Sequence, residues 1–224
     1  MRLILFDIDC TLLLTRGAGR EANRLAMLEV FGTVGALHAH KFGGKTDWQT
    51  LAELLTVQGI SHTEIERQMP IYSEAMARHL GNILPDFEMI VMPGAHELIK
   101  ALHARPDVAL GIVTGNVPGS AEVKLRAAGF DPAMFPIGAF GNESIDRNRL
   151  PALAIARATE YYHTPFLPQD VIVVGDTPAD IACARAVGAV AVAVETGFCE
   201  PGELEAAQPD YLLHDLTEFD RVPI

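Results

Sequence analysis

The sequence predicts an α/β fold: a doubly wound, mainly parallel sheet carrying an inserted, all-helical unit. Three observations predict it. Four apolar runs, Leu3–Phe6, Val108–Val113, Val171–Val174 and Ala189–Val194, are continuous rather than alternating, as expected of strands covered on both faces. Helical patterns separate the later runs, the alternation that builds parallel sheets. Between the first two runs, residues 15–89 show helix candidates and no convincing strand.

In chain order, Leu3–Phe6 opens the core as residues 1–14. The insertion begins near Leu13–Gly19, and its helix candidates are Arg20–Phe31, Asp47–Gln58 and Thr63–Leu80. Pro70 is expected to kink or end the third, because proline lacks the backbone N–H and crowds the preceding turn. Thr46 reads as a helix N-cap with Gln49 completing a capping box. Pro85 and Pro93-Gly94 punctuate the return to a core that spans 90–224. There Leu98, Ile99 and Leu102 share one helix face. Gly129-Phe130 and Gly188-Ala189 stop two further helices, and Leu150, Leu153, Ala154 and Ala158 recur at helical spacing.

The chain has 224 residues, 49% hydrophobic and 21% charged, enough apolar material for a real core. Lys and Arg number 17 against 29 Asp and Glu, a net charge of −12. Nucleic acid and anionic membranes need a positive footprint, so neither is expected as a partner. A small anionic substrate remains compatible if a local cation reverses the field in its pocket. Three cysteines, Cys10, Cys183 and Cys199, cannot all pair. With an N-terminus too short in apolar residues for a signal peptide, they point to a reduced, cytoplasmic protein. No apolar stretch approaches the ~18 residues of a membrane span.

Chemistry-bearing residues follow the strands. Asp7 follows Leu3–Phe6, Thr114 follows Val108–Val113, and Asp176 follows Val171–Val174 and Gly175. Open α/β sheets bind ligands beyond the carboxyl ends of their strands, so these three polar groups are expected in one crevice. Asp7-Ile8-Asp9 and Asp176–Asp180 supply four carboxylates. Crowded carboxylates repel unless a cation joins them, and an oxygen-only set favours Mg²⁺ over zinc. Mg²⁺ suits a phosphate substrate, an ionised Asp can act as nucleophile, and a second carboxyl can exchange a proton with leaving group and water.

Asp7-Ile8-Asp9-Cys10-Thr11-Leu12 after an apolar strand resembles the first signature of the haloacid dehalogenase superfamily. Thr114 in Gly111–Asn116 resembles the second, and Gly175-Asp176-Thr177-x-x-Asp180 the fourth. The insertion is similar to the helical cap of its phosphoglycolate phosphatase and β-phosphoglucomutase branches. The resemblance implies a Rossmann-like catalytic core with a cap domain at 15–89, and a Mg²⁺-dependent phosphatase that hydrolyses a small phosphorylated metabolite as a monomer or homodimer. It implies Asp7 as nucleophile forming an aspartyl-phosphate, and Asp9 as proton donor and then base. Thr114, Gly115 and Asn116 would hold phosphoryl oxygens. The metal would be bound by Asp7, the Asp9 carbonyl and Asp176, with Asp180 behind them. A phosphomutase of the β-phosphoglucomutase type shares every motif and is the alternative; a non-enzymatic phospho-accepting module is the remoter one.

The sequence departs from that pattern in two places. Cys10 stands where glycine is usual; being small, it is expected to be harmless. The third signature, usually a lysine opening a helix, has no lysine. Arg147 fits best, because Leu153 then takes the following apolar position, and Arg149 is the fallback. Arginine can supply the charge and a two-pronged phosphate contact. Lys45 is a candidate substrate contact from the insertion, against a solvated lysine. His38 and His40 read as loop residues, Cys183 as core, and Asp180 in part as a helix cap.

Overall fold

The computed structural model describes residues 1–224. Its elements run β1 (Arg2–Phe6), β2 (Leu13–Leu14), α1 (Ala18–Phe31), α2 (Asp47–Leu55), α3 (His62–Ile83), β3 (Ile90–Val91), α4 (Ala95–His103), β4 (Val108–Val113), α5 (Pro118–Ala127), β5 (Ile137–Ala139), α6 (Leu150–Tyr162), β6 (Val171–Gly175), α7 (Pro178–Ala186), β7 (Val190–Val194), α8 (Glu203–Ala206) and β8 (Tyr211–Leu213).

Six strands form one sheet in the order β5-β4-β1-β6-β7-β8, and every pairing in it is parallel. The sequence-predicted strands are its four central members. The edge strands β5 and β8 have three residues each, too short for a continuous apolar run to announce them. Both faces of the sheet are covered. Ile4 and Phe6 belong to one apolar cluster and Leu3 and Leu5 to another, as alternation along β1 requires. A doubly wound sheet results, a Rossmann-like α/β fold.

The helices α1, α2 and α3 build a third apolar cluster around Met27, Leu51, Leu55, Ile65 and Tyr72. Two short strands, β2 and β3, pair antiparallel where the chain leaves and rejoins the sheet, which the sequence reading had not anticipated. Pro70 does not end its helix. The α-helix α3 runs unbroken for 22 residues through it. Pro70 is exposed, so the carbonyl one turn back, deprived of its N–H partner, lies on the side open to water. The opposite face, Ile65, Met69, Tyr72, Ala75, Met76 and Leu80, is buried and carries the helix across. Thr46 caps α2 by accepting from the Gln49 N–H at 3.0 Å, but the expected box is half-formed, since the Gln49 side chain turns to Glu53 at 2.8 Å. No helix is long and apolar enough to cross a membrane.

Candidate active site

The site is fixed by the register of three adjacent strands. Phe6 pairs with Ile112 of β4 and Val174 of β6, and the Asp7 N–H donates to the Val174 carbonyl at 2.9 Å. Asp7 therefore leaves the sheet one position before Thr114 and Asp176, at the same carboxyl edge. Asp7, Asp176 and Asp180 are all buried, and each offers a carboxylate oxygen, the three lying within 4.8 Å of one another. Glycines let the chain close around them: a Cβ on Gly175 would lie 2.2 Å from the Asp180 carboxyl carbon, and one on Gly197 2.1 Å from Asp176 Oδ2.

This crowding has electrostatic consequences. Burial, with Asp180 and Asp9 nearby, pushes the Asp7 carboxyl up to about 6 despite the opposing pull of Arg147. Asp176 rises well above the usual carboxylate range through burial and the charges of Asp180 and Asp7. Three such oxygens, with no Cys or His among them, are a donor set that fits a hard divalent cation.

Arg147 meets two of the three carboxylates. Its guanidinium pairs with Asp7 Oδ2 at 3.1 Å and with Asp180 Oδ1, and its side chain is 7% exposed. Burial disfavours its charge, but Asp180 and Asp7 more than compensate and hold it firmly protonated. Arg149, by contrast, is exposed. Asp180 is fully engaged: Oδ2 accepts from the Thr177 N–H and hydroxyl at 3.0 and 2.6 Å, while Oδ1 meets Arg147. It thus combines the helix cap with support of the cluster.

The Asp9 carboxylate is not one of these three and has partners of its own. Lys124 of α5 donates to Asp9 Oδ1 and Oδ2 at 2.8 and 2.6 Å and to Asn116 Oδ1 at 2.7 Å. Asn116 Nδ2 donates to Asp9 Oδ2 and to Thr114 Oγ1 at 2.7 and 2.8 Å. The sequence reading missed Lys124. On α5 it looks like any helix-surface lysine, and the spacing of ten residues from Thr114 marks nothing. No local pattern marks it, because its partner Asp9 is 115 residues away in the chain.

The helical unit docks directly on this edge. The N–H of Asp47, first residue of α2, donates to the Gly115 carbonyl at 2.7 Å, and the Trp48 N–H to the Gly141 carbonyl at 3.0 Å. Asp47 Oδ2 accepts from the Val117 N–H at 2.8 Å. The fit demands glycine. A Cβ on Gly115 would meet the Lys45 carbonyl oxygen at 2.0 Å, and one on Gly141 the Gly115 carbonyl oxygen at 1.7 Å. Lys45 is thus beside the site through its backbone, while its ammonium is bonded to Glu53. Burial pushes Asp47 up to about 6.

Cys10 adopts φ = 60°, a left-handed conformation that favours glycine. The position usually held by glycine is therefore set by backbone geometry rather than size, and Cys10 carries strain there.

A parallel sheet with carboxylates at its central strand ends, facing a docked helical insertion, defines the class of a Rossmann-like α/β protein with an acidic site beneath a helical unit. Comparison with known proteins narrows this. A family profile described as HAD-hydrolase-like matches residues 149–219. A phosphoglycolate phosphatase from Synechococcus elongatus is 30% identical over 98% of this chain and 95% of its own length. Another phosphoglycolate phosphatase, from Rhodospirillum rubrum, is 32% identical over 55% of this chain and 50% of its own. Among solved structures, a hydrolase from Pseudomonas syringae superposes with TM-score 0.73 at 23% identity, covering 100% of both chains. CbbY from Rhodobacter sphaeroides in complex with phosphate gives 0.69 at 20% identity, covering 98% of this chain and 96% of that one. The chain belongs to the haloacid dehalogenase-like hydrolases and is a phosphatase related to the phosphoglycolate phosphatases.

Proposed function

We propose that this chain is a Mg²⁺-dependent phosphatase that hydrolyses a small phosphorylated metabolite of the phosphoglycolate kind through an aspartyl-phosphate on Asp7. The observation that carries this reading is the division of labour at the site. Asp7 lies buried between an arginine and two further carboxylates, while Asp9, two residues on, stands on a separate hydrogen-bonded frame with its side chain 38% exposed. Nucleophilic attack and proton handling need different surroundings, and these two carboxyls have them.

Asp7, Asp176 and the Asp9 carbonyl would hold the metal, with Asp180 behind them. A bound Mg²⁺ supplies charge neutralisation for a phosphoryl group entering this acidic site. The chain's residues do the rest. Arg147 keeps Asp7 ionised and directs it, and its guanidinium edge offers donors to phosphoryl oxygens. The Thr114 hydroxyl and the N–H groups of Gly115 and Asn116 would receive those oxygens. An Asp7 carboxylate oxygen bonds to phosphorus as the bond to the leaving oxygen breaks, and Asp9 gives that oxygen a proton. Asp9 then takes a proton from the water that releases phosphate and regenerates Asp7. The domain at 15–89 acts as a cap whose α2 seals the cleft against water. The site works on a small soluble metabolite within the cytoplasm, with no role for nucleic acid.

The test is phosphate release from 2-phosphoglycolate and a panel of phosphorylated metabolites, with Mg²⁺ and after chelation. Turnover that depends on the metal and is lost in Asp7→Asn is expected. Equal activity in Asp7→Asn defeats the mechanism, and transfer of the phosphoryl group to a sugar instead of water defeats the hydrolase assignment.

A further inference from the structure

The chain buries two cationic side chains, Arg147 and Lys124. The first belongs to the cluster around Asp7. We propose that the second, Lys124, is a positioning residue that aims Asp9 and leaves its Oδ1 as the one oxygen free to carry the catalytic proton. This inference rests on the phosphatase mechanism above and assigns a part of it that no motif names.

The argument is a count of donors and lone pairs. An ammonium has three N–H donors. Those of Lys124 go to Asp9 Oδ1, Asp9 Oδ2 and Asn116 Oδ1, at 2.8, 2.6 and 2.7 Å. Lys124 therefore has no donor left for a substrate phosphoryl group and acts through Asp9. A carboxylate oxygen offers about two lone-pair directions. Asp9 Oδ2 accepts from both Lys124 and Asn116 Nδ2, so it is filled. Asp9 Oδ1 accepts from Lys124 alone and keeps one direction open.

Exposure agrees with that count. The Lys124 side chain is 4% exposed and that of Asp9 38%, so the lysine backs the carboxylate from the buried side and leaves part of it open to solvent. The surroundings hold the lysine in place. A Cβ on Gly19, in the first turn of α1, would lie 3.4 Å from Lys124 Nζ, and 3.8 Å from Thr15 Oγ1. Asn116 also bonds Thr114 Oγ1 at 2.8 Å, which ties the direction of Asp9 to the loop proposed to receive phosphate. In the first half-reaction the proton on Asp9 Oδ1 passes to the leaving oxygen as its bond to phosphorus breaks and the bond from Asp7 forms. In the second, a proton from the attacking water returns to Oδ1.

The experiment compares two leaving groups in single turnover with Mg²⁺. An alkyl phosphomonoester must have its leaving oxygen protonated, whereas p-nitrophenyl phosphate releases a stable phenolate without a proton. The aryl rate is thus an internal reference for folded, metal-loaded protein able to attack phosphorus. In Lys124→Met the ratio of alkyl to aryl rate is expected to fall at least ~10-fold, within the ~10²–10⁴-fold that a positioned acid contributes. An unchanged ratio, whether both rates hold or both fall together, overturns the proposal. If Lys124→Met shows no measurable phenolate release, Lys124→Gln, uncharged and with two N–H donors for the three acceptors, is expected to lower the same ratio, and an unchanged ratio there overturns the proposal equally. A wild type inactive on both substrates overturns the phosphatase mechanism and this inference with it. An unchanged ratio in an active protein strikes this inference alone.

Discussion

Asp7 and Asp9 are two residues apart and occupy opposite worlds. Asp7 is buried with Arg147, Asp176 and Asp180, in a place where four charged groups share one small volume. Asp9 sits at the mouth, its carboxylate part-exposed and braced by Lys124 and Asn116. One half of the site is built from strand ends of β1 and β6 and the start of α7. The other is built from β4, α5 and the loop on which the helical unit docks. The contrast teaches that a single loop can present two carboxyls of the same type in different surroundings, each with its own cation and its own degree of burial.

Breaking the buried half should have the largest effect. Arg147→Ala leaves Asp7, Asp176 and Asp180 crowded without their shared counter-charge. Removing one partner of a buried pair costs about 3–5 kcal/mol of stability, read in denaturant unfolding, and loss of the charge beside Asp7 is expected to lower turnover by about 10²–10³-fold in steady-state assays. Arg149→Ala, at an exposed position, is expected to stay within about twofold. Loss of activity only in the second would move the third-signature role to Arg149.

Disturbing the docking of α2 should come next. Gly115→Ala places a methyl group 2.0 Å from the Lys45 carbonyl, so the helical unit must shift off the loop. A displacement of about 1 Å near reacting groups can cost about 10²-fold in rate. A fall in kcat/KM of that order, with the melting temperature lowered by only a few degrees, is the expected outcome. Cys10→Val tests the backbone instead. A β-branched residue at φ = 60° is expected to cost about 1–3 kcal/mol in denaturant unfolding.

The smallest effect concerns Asp47, which joins the two units. Its carboxyl is raised to about 6 in the folded protein against an ordinary 3.8. Between these values the folded state holds a proton that the unfolded chain has lost, so stability falls as pH rises from about 4 to about 6. Asp47→Asn still accepts from the Val117 N–H but does not ionise. Relative to it, wild type should lose on the order of 1–3 kcal/mol across that window in urea titrations. Parallel pH profiles of the two proteins would show that Asp47 stays ionised when docked.

The same contrast explains what the sequence made legible. Asp7, Thr114 and Asp176 could be found because each follows a continuous apolar run, and adjacent parallel strands must deliver their next residues to one edge. Arg147 is preferred to Arg149 for its six-residue spacing from Leu153, yet Leu153 is exposed and Arg147 lies in the turn before α6, so it is the burial of Arg147 beside Asp7 and Asp180 that sets it apart. Lys124 and the docking glycines were not found, because their roles depend on contacts between distant segments: Lys124 with Asp9, Gly115 with Lys45. Pro70 does not end α3, because a buried helix face, once packed, carries the helix past a residue that local chain rules mark as a stop. Cys10 was judged by side-chain size when φ decides the position.

The central claim is that Asp7 attacks phosphorus and Asp9 serves the water that follows. Acid quenching Asp9→Asn protein after mixing with a p-nitrophenyl phosphate substrate and Mg²⁺, then peptide mass spectrometry, tests it directly. With the base removed and a leaving group that needs no proton, the peptide containing Asp7 should accumulate the mass of one phosphoryl group. Phenolate release by the wild type with no phosphoryl adduct on Asp7 in the variant, even in its first turnover, would contradict the account.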